Sequence, residues 1–119
     1  MLKRQHISTD VTRLLDAQAG VVLISQLLGT GLTRDVSARL ASSWARLSSG
    51  LYLAGPPSFD AAVWAGILRA GPDGVAGSAA AAHLSGALRD PPEDIVVWSP
   101  HHRSPLAVGD WRVLFRRGR

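Results

Sequence analysis

Residues 25–53 read SQLLGTGLTRDVSARLASSWARLSSGLYL, and this stretch decides the fold that the sequence predicts. It divides into a short helix capped by Ser25, a turn with two glycines, a second helix capped by Thr33, and two short strands around a Ser-Ser-Gly turn. Serine and threonine accept hydrogen bonds from the free N–H groups of a first helical turn, and glycine supplies the positive φ of tight turns. Two helices joined by a tight turn and followed by a hairpin indicate a winged helix-turn-helix.

The second of these helices, residues 33–43, is predicted to be the recognition helix, which such a motif inserts into the major groove of DNA. Val36 and Leu40 lie one turn apart and are expected to face the core. The residues at the start of this helix and on its opposite face form the first part of the candidate DNA-contacting set: Thr33, Arg34, Ser37, Ala38, Arg39 and Ala41.

Each member of this set has a chemistry that suits a base or a phosphate. Arg34 suits a guanine edge or a phosphate, Ser37 can bond a base or a backbone oxygen, and Ala38 can touch a thymine methyl group. Arg39 lies at the flank, where it can hold a phosphate or pair with Asp35 one turn back. The alternative interpretation is that this face of the helix is an ordinary solvent-exposed surface without a DNA contact.

The hairpin supplies the second part of the set. We expect strands at residues 44–47 and 51–53, with Gly50 in the turn at a positive φ. A wing of this kind crosses the DNA backbone or enters the minor groove, which makes Arg46, Ser48 and Ser49 candidate contacts. The large side chains of the hairpin are predicted to be core rather than stacking platforms: Trp44, Leu47, Leu51 and Tyr52.

Outside this stretch the pattern continues in both directions. A helix at 8–19 and an apolar strand at 21–24 precede it, and Gly55-Pro56-Pro57 marks a boundary after it. The rest is predicted to contain helices at 58–70, capped by Ser58, and 78–88, then strands at 94–99 and 111–116. The predicted fold class is therefore α+β: a winged helix-turn-helix at 8–54 and a small helix-helix-strand-strand extension at 57–117 that packs on it.

The composition sets limits on function. With 119 residues, 46% hydrophobic and 18% charged, the chain is long enough for one domain or a small module plus part of a second, and it is not a disordered chain. It contains no run of about 20 apolar residues that would span a bilayer, and we expect no N-terminal secretion signal. Cysteine is absent, which excludes disulfides and thiolate zinc sites. We expect a cytoplasmic protein without a membrane partner.

The formal net charge is +4, and Lys3 is the one lysine among the 13 cationic residues. Arginine suits phosphates and guanine edges better than lysine does, although a GC-rich genome also favours arginine over lysine. The positive sign favours a polyanionic partner, here double-stranded DNA. The basic tail of the chain either extends the DNA footprint or solubilises a strand edge, and it comprises Arg112, Arg116, Arg117 and Arg119.

The sequence gives little support for a metal site or for a catalytic site. Adjacent histidines in an extended segment point in opposite directions, and no third ligand stands at suitable spacing from His101-His102, so we interpret them as part of a polar hairpin loop. A nuclease needs converging carboxylates and a lysine, but Lys3 is far from the acids, which are Asp90, Glu93, Asp94 and Asp110. The sequence carries no nucleophile elbow, phosphate-binding loop or dinucleotide motif. We expect no enzyme activity and no cofactor.

An ordered set of motifs resembles the N-terminal part of AbiEi-family antitoxins. They are Leu14-Leu15-x-x-Gln18-x-Gly20-Val21-Val22, Gln26-Leu27-Leu28-x-x-Gly31-Leu32, Trp44-x-Arg46-Leu47-x-x-Gly50-Leu51-Tyr52, Trp64-x-x-x-Leu68-x-Ala70-Gly71 and Ser78-x-x-x-Ala82-x-x-x-Gly86. Pro92 and the strand at 95–99 continue the match, as in actinobacterial members, so that the resemblance covers about residues 10–117.

The resemblance implies a winged-helix regulator that represses its own toxin–antitoxin operon, in systems where antitoxin and toxin are not thought to need direct contact. Members often carry a further C-terminal domain, antitoxin-specific or nuclease-like, and this sequence stops at Arg119, where such a domain would begin. Two other interpretations stay open: a protein-interaction module, and the DNA-targeting domain of a larger nuclease-like protein. A homodimer on inverted repeats and tandem monomers are equally open.

Overall fold

The computed structural model describes residues 9–72, 75–76 and 94–117. In those residues the chain is a mixed α+β protein, as predicted, with four helices and two small sheets. In chain order the elements are α1 Thr9–Ala17, β1 Val21–Leu23, α2 Ile24–Gly29, α3 Arg34–Ala41, β2 Ala45–Ser48, β3 Leu51–Leu53, α4 Phe59–Ala70, β4 Val75–Ala76, β5 Asp94–Ser99, β6 Leu106–Val108 and β7 Trp111–Arg117. None of the described helices is both long and apolar enough to cross a membrane.

The first sheet joins the strand before α2 to the hairpin after α3. Its order is β1-β3-β2, and both pairings are antiparallel, with Val21 opposite Leu53 and Arg46 opposite Tyr52. The predicted succession of helix, strand, helix, helix and hairpin is therefore present, with helix and strand bounds that differ from the predicted ones by up to two residues.

Side-chain caps explain two of the helix starts. The Thr33 hydroxyl accepts from the backbone N–H of Val36 at 3.2 Å, and the Ser58 hydroxyl accepts from that of Ala61 at 3.0 Å, which confirms both predicted caps. The predicted cap at Ser25 is wrong, because α2 already begins at Ile24. The Ile24 N–H donates instead to the carbonyl of Gly50 at 2.8 Å. A backbone carbonyl of the hairpin therefore satisfies the first N–H group of α2.

Two glutamine side chains hold α1, β1 and α2 together. Their carboxamides form a reciprocal pair, in which Gln18 Nε2 lies 3.0 Å from Gln26 Oε1 and Gln26 Nε2 lies 2.9 Å from Gln18 Oε1. Gln18 Nε2 also donates to the Val21 carbonyl, and Gln26 Oε1 accepts from the Leu23 N–H. Since Gln18 is buried, this pairing removes the cost of taking its polar atoms out of water.

The second sheet has the order β4-β5-β7-β6. The predicted strand at 94–99 is confirmed with its bounds, and the last predicted strand runs one residue further, to Arg117. β5 and β7 pair in parallel and β6 pairs with β7, so the interpretation of residues 101–102 as part of a hairpin loop is wrong. Sequence reasoning missed β4 and β6, and the helix predicted at 78–88 lies outside the described residues.

One hydrophobic cluster spans both sheets. Helix α4 lies at its centre, and buried residues of β1 and β3 share the cluster with buried residues of β5, β6 and β7. Phe59 of α4 meets Trp111 of β7 edge to face, with ring centroids 6.3 Å apart. A second cluster fills the space among α1, β1 and α2, and Trp44, Leu40 and Tyr52 pack against it. The predicted core side chains of the hairpin are thus buried or half-buried.

Candidate functional site

The exposed face of α3 is not the one that the sequence predicts. Ser37 and Ala41 were expected to project outward, but only 0% and 2% of their surfaces are accessible. Val36 was expected in the core, but 41% of its surface is exposed, and Leu40 is half-buried. Ser37 and Ala41 therefore leave the candidate DNA-contacting set.

Small side chains account for this rotation of the helix. Positions 37 and 41 lie one turn apart on one face, and α3 packs closely against α2. A serine and an alanine let two helix backbones approach more closely than a valine and a leucine would allow. The Ser37–Ala41 face, which has the smaller side chains, thus lies inward, although hydrophobicity alone favours the face of Val36 and Leu40.

Four of the predicted contact residues remain available at this helix. Thr33, Arg34, Ala38 and Arg39 are all exposed. Thr33 is also the helix cap, so its hydroxyl holds the start of α3 while its surface stays accessible. The cations at positions 34 and 39 stand in the first and last turns of α3.

The hairpin holds its candidate residues in a defined position relative to these helices. Arg46 and Ser49 are exposed and Ser48 is half-buried. The turn contains Gly50 at φ 72°, which confirms the predicted positive φ. Because the Gly50 carbonyl accepts from the first N–H of α2, the tip of the hairpin is bonded to the helix pair.

The arginines of this region are free of carboxylate partners in the part of the chain that the structure describes. The ion pair found there joins Arg112 to Asp94 at 2.9 Å, with a second hydrogen bond from Nε to Oδ1 at 3.0 Å. Arg34, Arg39 and Arg46 make no such pair with any described residue. We call these three residues the arginine set. Their charges are available to an anionic partner.

Four further exposed residues stand beside the arginine set and were not among the predicted contacts: Asp35, Val36, Ser42 and Ser43. The hydroxyls of Ser42 and Ser43 donate to carbonyls three residues earlier, those of Arg39 and Leu40, at 2.7 and 2.9 Å. These two hydrogen bonds satisfy carbonyl groups in the last turn of α3, just before the hairpin. The signal in the sequence was the pair Ser42-Ser43 directly after α3, since serine hydroxyls commonly form hydrogen bonds to nearby backbone carbonyls.

The remaining candidates do not converge on a second site. His101 and His102 are exposed, and among the described residues no three His, Asp or Glu side chains lie close enough together to hold a metal ion. Of the basic tail, Arg112 is bound to Asp94, whereas Arg116 and Arg117 are exposed and Arg119 lies outside the described residues. The acids Asp90 and Glu93 lie outside them as well.

The buried Ser37 hydroxyl gives a direct test of the corrected helix face. Its Oγ has no hydrogen-bond partner within the described residues, and an unpaired buried hydroxyl costs about 1–3 kcal/mol. We expect Ser37→Ala to leave the free energy of unfolding unchanged or to raise it by about 1 kcal/mol, as measured by urea unfolding. A loss of DNA affinity without a loss of stability would show instead that Ser37 reaches the ligand.

Comparison with protein-family models, curated proteins and solved structures finds no match to this chain. The function is therefore inferred from the arginine set and from the helices and the hairpin that hold it.

Proposed function

We propose that this chain is a sequence-specific regulator that binds double-stranded DNA through a winged helix-turn-helix. In this proposal α2 and α3 are the helix-turn-helix, α3 is the recognition helix in the major groove, and the β2–β3 hairpin is the wing on the backbone or the minor groove. The proposal includes a non-enzymatic role in the cytoplasm and, following the resemblance to AbiEi-family antitoxins, repression of the chain's own operon.

The arginine set is the observation that carries the proposal. Three exposed guanidinium groups without a described carboxylate partner stand on α3 and on the adjacent hairpin. A guanidinium makes bidentate hydrogen bonds to phosphate or to the O6 and N7 atoms of guanine. The net charge of +4 acts in the same direction, because phosphate neutralisation supplies most of the affinity for DNA.

The order of elements gives independent support. A recognition helix needs a partner helix behind it and a fixed start, and here α2 packs on α3 while Thr33 caps it. A wing needs a fixed relation to that helix, which the hydrogen bond between Ile24 and Gly50 provides. These contacts would present Arg46 and Arg39 to one duplex without a change of fold.

Selection from a random duplex library, followed by titration of the selected duplex at several salt concentrations, tests the proposal. We expect an enriched motif, which also gives the symmetry of the site and hence monomer or dimer binding. The logarithm of the binding constant should fall linearly with the logarithm of salt concentration, by about 0.9 for each phosphate neutralised. Failure to retain any duplex at low salt would refute DNA binding.

A specific observation favours a protein-interaction module as the second candidate. Trp98 is 44% exposed on the side of β5 that faces away from α4, next to the half-buried Val96 and Leu114. Exposed aromatic residues beside aliphatic ones are common at protein interfaces. Under this alternative the protein binds a toxin or another subunit, and the library selection enriches nothing.

A further inference from the structure

Helix α3 exposes a large apolar side chain in its first turn. Val36 belongs to neither of the clusters formed by the described residues, and 41% of its surface is accessible. A β-branched residue is a weaker helix former than alanine, and an exposed one gains little from burial. Burial therefore contributes little at this position, and the side chain is accessible to a ligand.

The position of Val36 on the helix is well defined. Its N–H is bonded to the Thr33 cap at 3.2 Å, so the first turn of α3 is held in place. Arg39 follows three residues later, about one turn along, and both side chains are exposed. An apolar group and a cation thus occupy neighbouring positions on the exposed surface of α3.

This inference depends on the proposed function: we propose that Val36 is a specificity-determining residue that contacts the 5-methyl group of a thymine. That methyl is the one apolar group that the unmodified bases present in the major groove. Valine cannot bond to the donors and acceptors of the other base edges, and it would leave them without partners. Arg39 would then bind the phosphate or the guanine next to this thymine.

Deoxyuridine substitution tests the contact, because it removes the methyl group and keeps every hydrogen-bonding atom. Each thymine of the selected duplex is replaced in turn, and affinity is measured for the wild type and for Val36→Ala. We expect one position at which deoxyuridine weakens wild-type binding about fourfold, as for one buried methyl group. Val36→Ala should bind the thymine duplex about fourfold more weakly and lose its sensitivity at that position.

Asp35→Ala is the matched control, since it changes the neighbouring exposed residue and should leave the thymine sensitivity intact. If every deoxyuridine penalty persists in Val36→Ala, the inference is wrong while DNA binding stands. If no duplex is selected at all, the proposed function itself fails. Thermal unfolding of both variants checks that they fold, and we expect Val36→Ala to be at least as stable as the wild type.

Discussion

Replacing Arg34, Arg39 and Arg46 together by alanine is expected to lower affinity for the selected duplex by at least about 100-fold. Each single contact to a base or phosphate contributes roughly 1–3 kcal/mol, and 1.4 kcal/mol corresponds to a tenfold change. If all three bind phosphates, the slope of log affinity against log salt should also decrease by about 2.7. Electrophoretic mobility shifts or fluorescence anisotropy at four or five salt concentrations measure both quantities.

The fold should tolerate this triple substitution. All three side chains are exposed, and surface substitutions away from special features usually change stability by less than about 0.5 kcal/mol. A loss of binding can therefore be assigned to the interface once circular dichroism and urea unfolding match the wild type.

A second triple variant, with alanine at Arg13, Arg116 and Arg117, is the matched control. These residues are also exposed, and their removal likewise lowers the formal net charge from +4 by three, to +1. We expect this variant to keep most of the affinity and of the salt slope. An equal loss in both variants would contradict an interface confined to α3 and the hairpin, and would attribute binding to the basic tail or to overall charge as well.

The single variants then distinguish a residue that contacts a base from one that binds a phosphate. A residue that reads a base should, when it is replaced, relax the preference at one position of the selected motif. A residue that binds phosphate should instead weaken binding to all sequences alike. We expect the first behaviour for Arg34 or Arg39 on α3 and the second for Arg46 on the hairpin.

The features that sequence predicted well are local ones. The caps at Thr33 and Ser58 depend on a hydroxyl and on the N–H groups three residues away. The turn at Gly50 depends on one residue that tolerates a positive φ. The strand at 94–99 is marked by a β-branched, aromatic run. Each of these signals is complete within a few neighbouring residues.

The features that sequence missed depend on distant partners. The pattern of α3 fits two orientations about 100° apart, and the tertiary contacts of the folded chain bury Ser37 rather than Val36. The parallel pairing of β5 and β7 joins strands separated by a dozen residues, with β6 between them in sequence. β6, in contrast, pairs with β7 across the two-residue turn Gly109-Asp110, a local hairpin signal that the sequence interpretation did not use.

Gly66 shows how such a distant contact limits substitution. A Cβ atom at this position of α4 would lie 2.6 Å from Val97 Cγ2 and 2.7 Å from Val113 Cγ1, closer than carbon atoms can approach. Both valines are fully buried and have short, stiff side chains. The missing side chain therefore allows α4 to lie directly on β5 and β7.

We expect Gly66→Val to lower the free energy of unfolding by about 3 kcal/mol, at the upper end of overpacking effects. Gly66→Ala should cost less, because the better helix propensity of alanine offsets about 1 kcal/mol of the strain. Urea unfolding measures both variants. For a chain of this size each kcal/mol should shift the midpoint of thermal unfolding by roughly 4 °C.

Gly29→Ala is the matched control, since this glycine also lies in a helix but its added Cβ would meet no described atom within 4 Å beyond its chain neighbours and its own helix backbone. It should leave stability unchanged or raise it by up to about 1 kcal/mol. Combining Gly66→Ala with Val97→Ala removes one of the two clashing methyl groups, so the pair should cost less than the sum of the single substitutions. Strict additivity, or a Gly66→Val variant as stable as the wild type, would show that α4 does not need this close approach to the sheet.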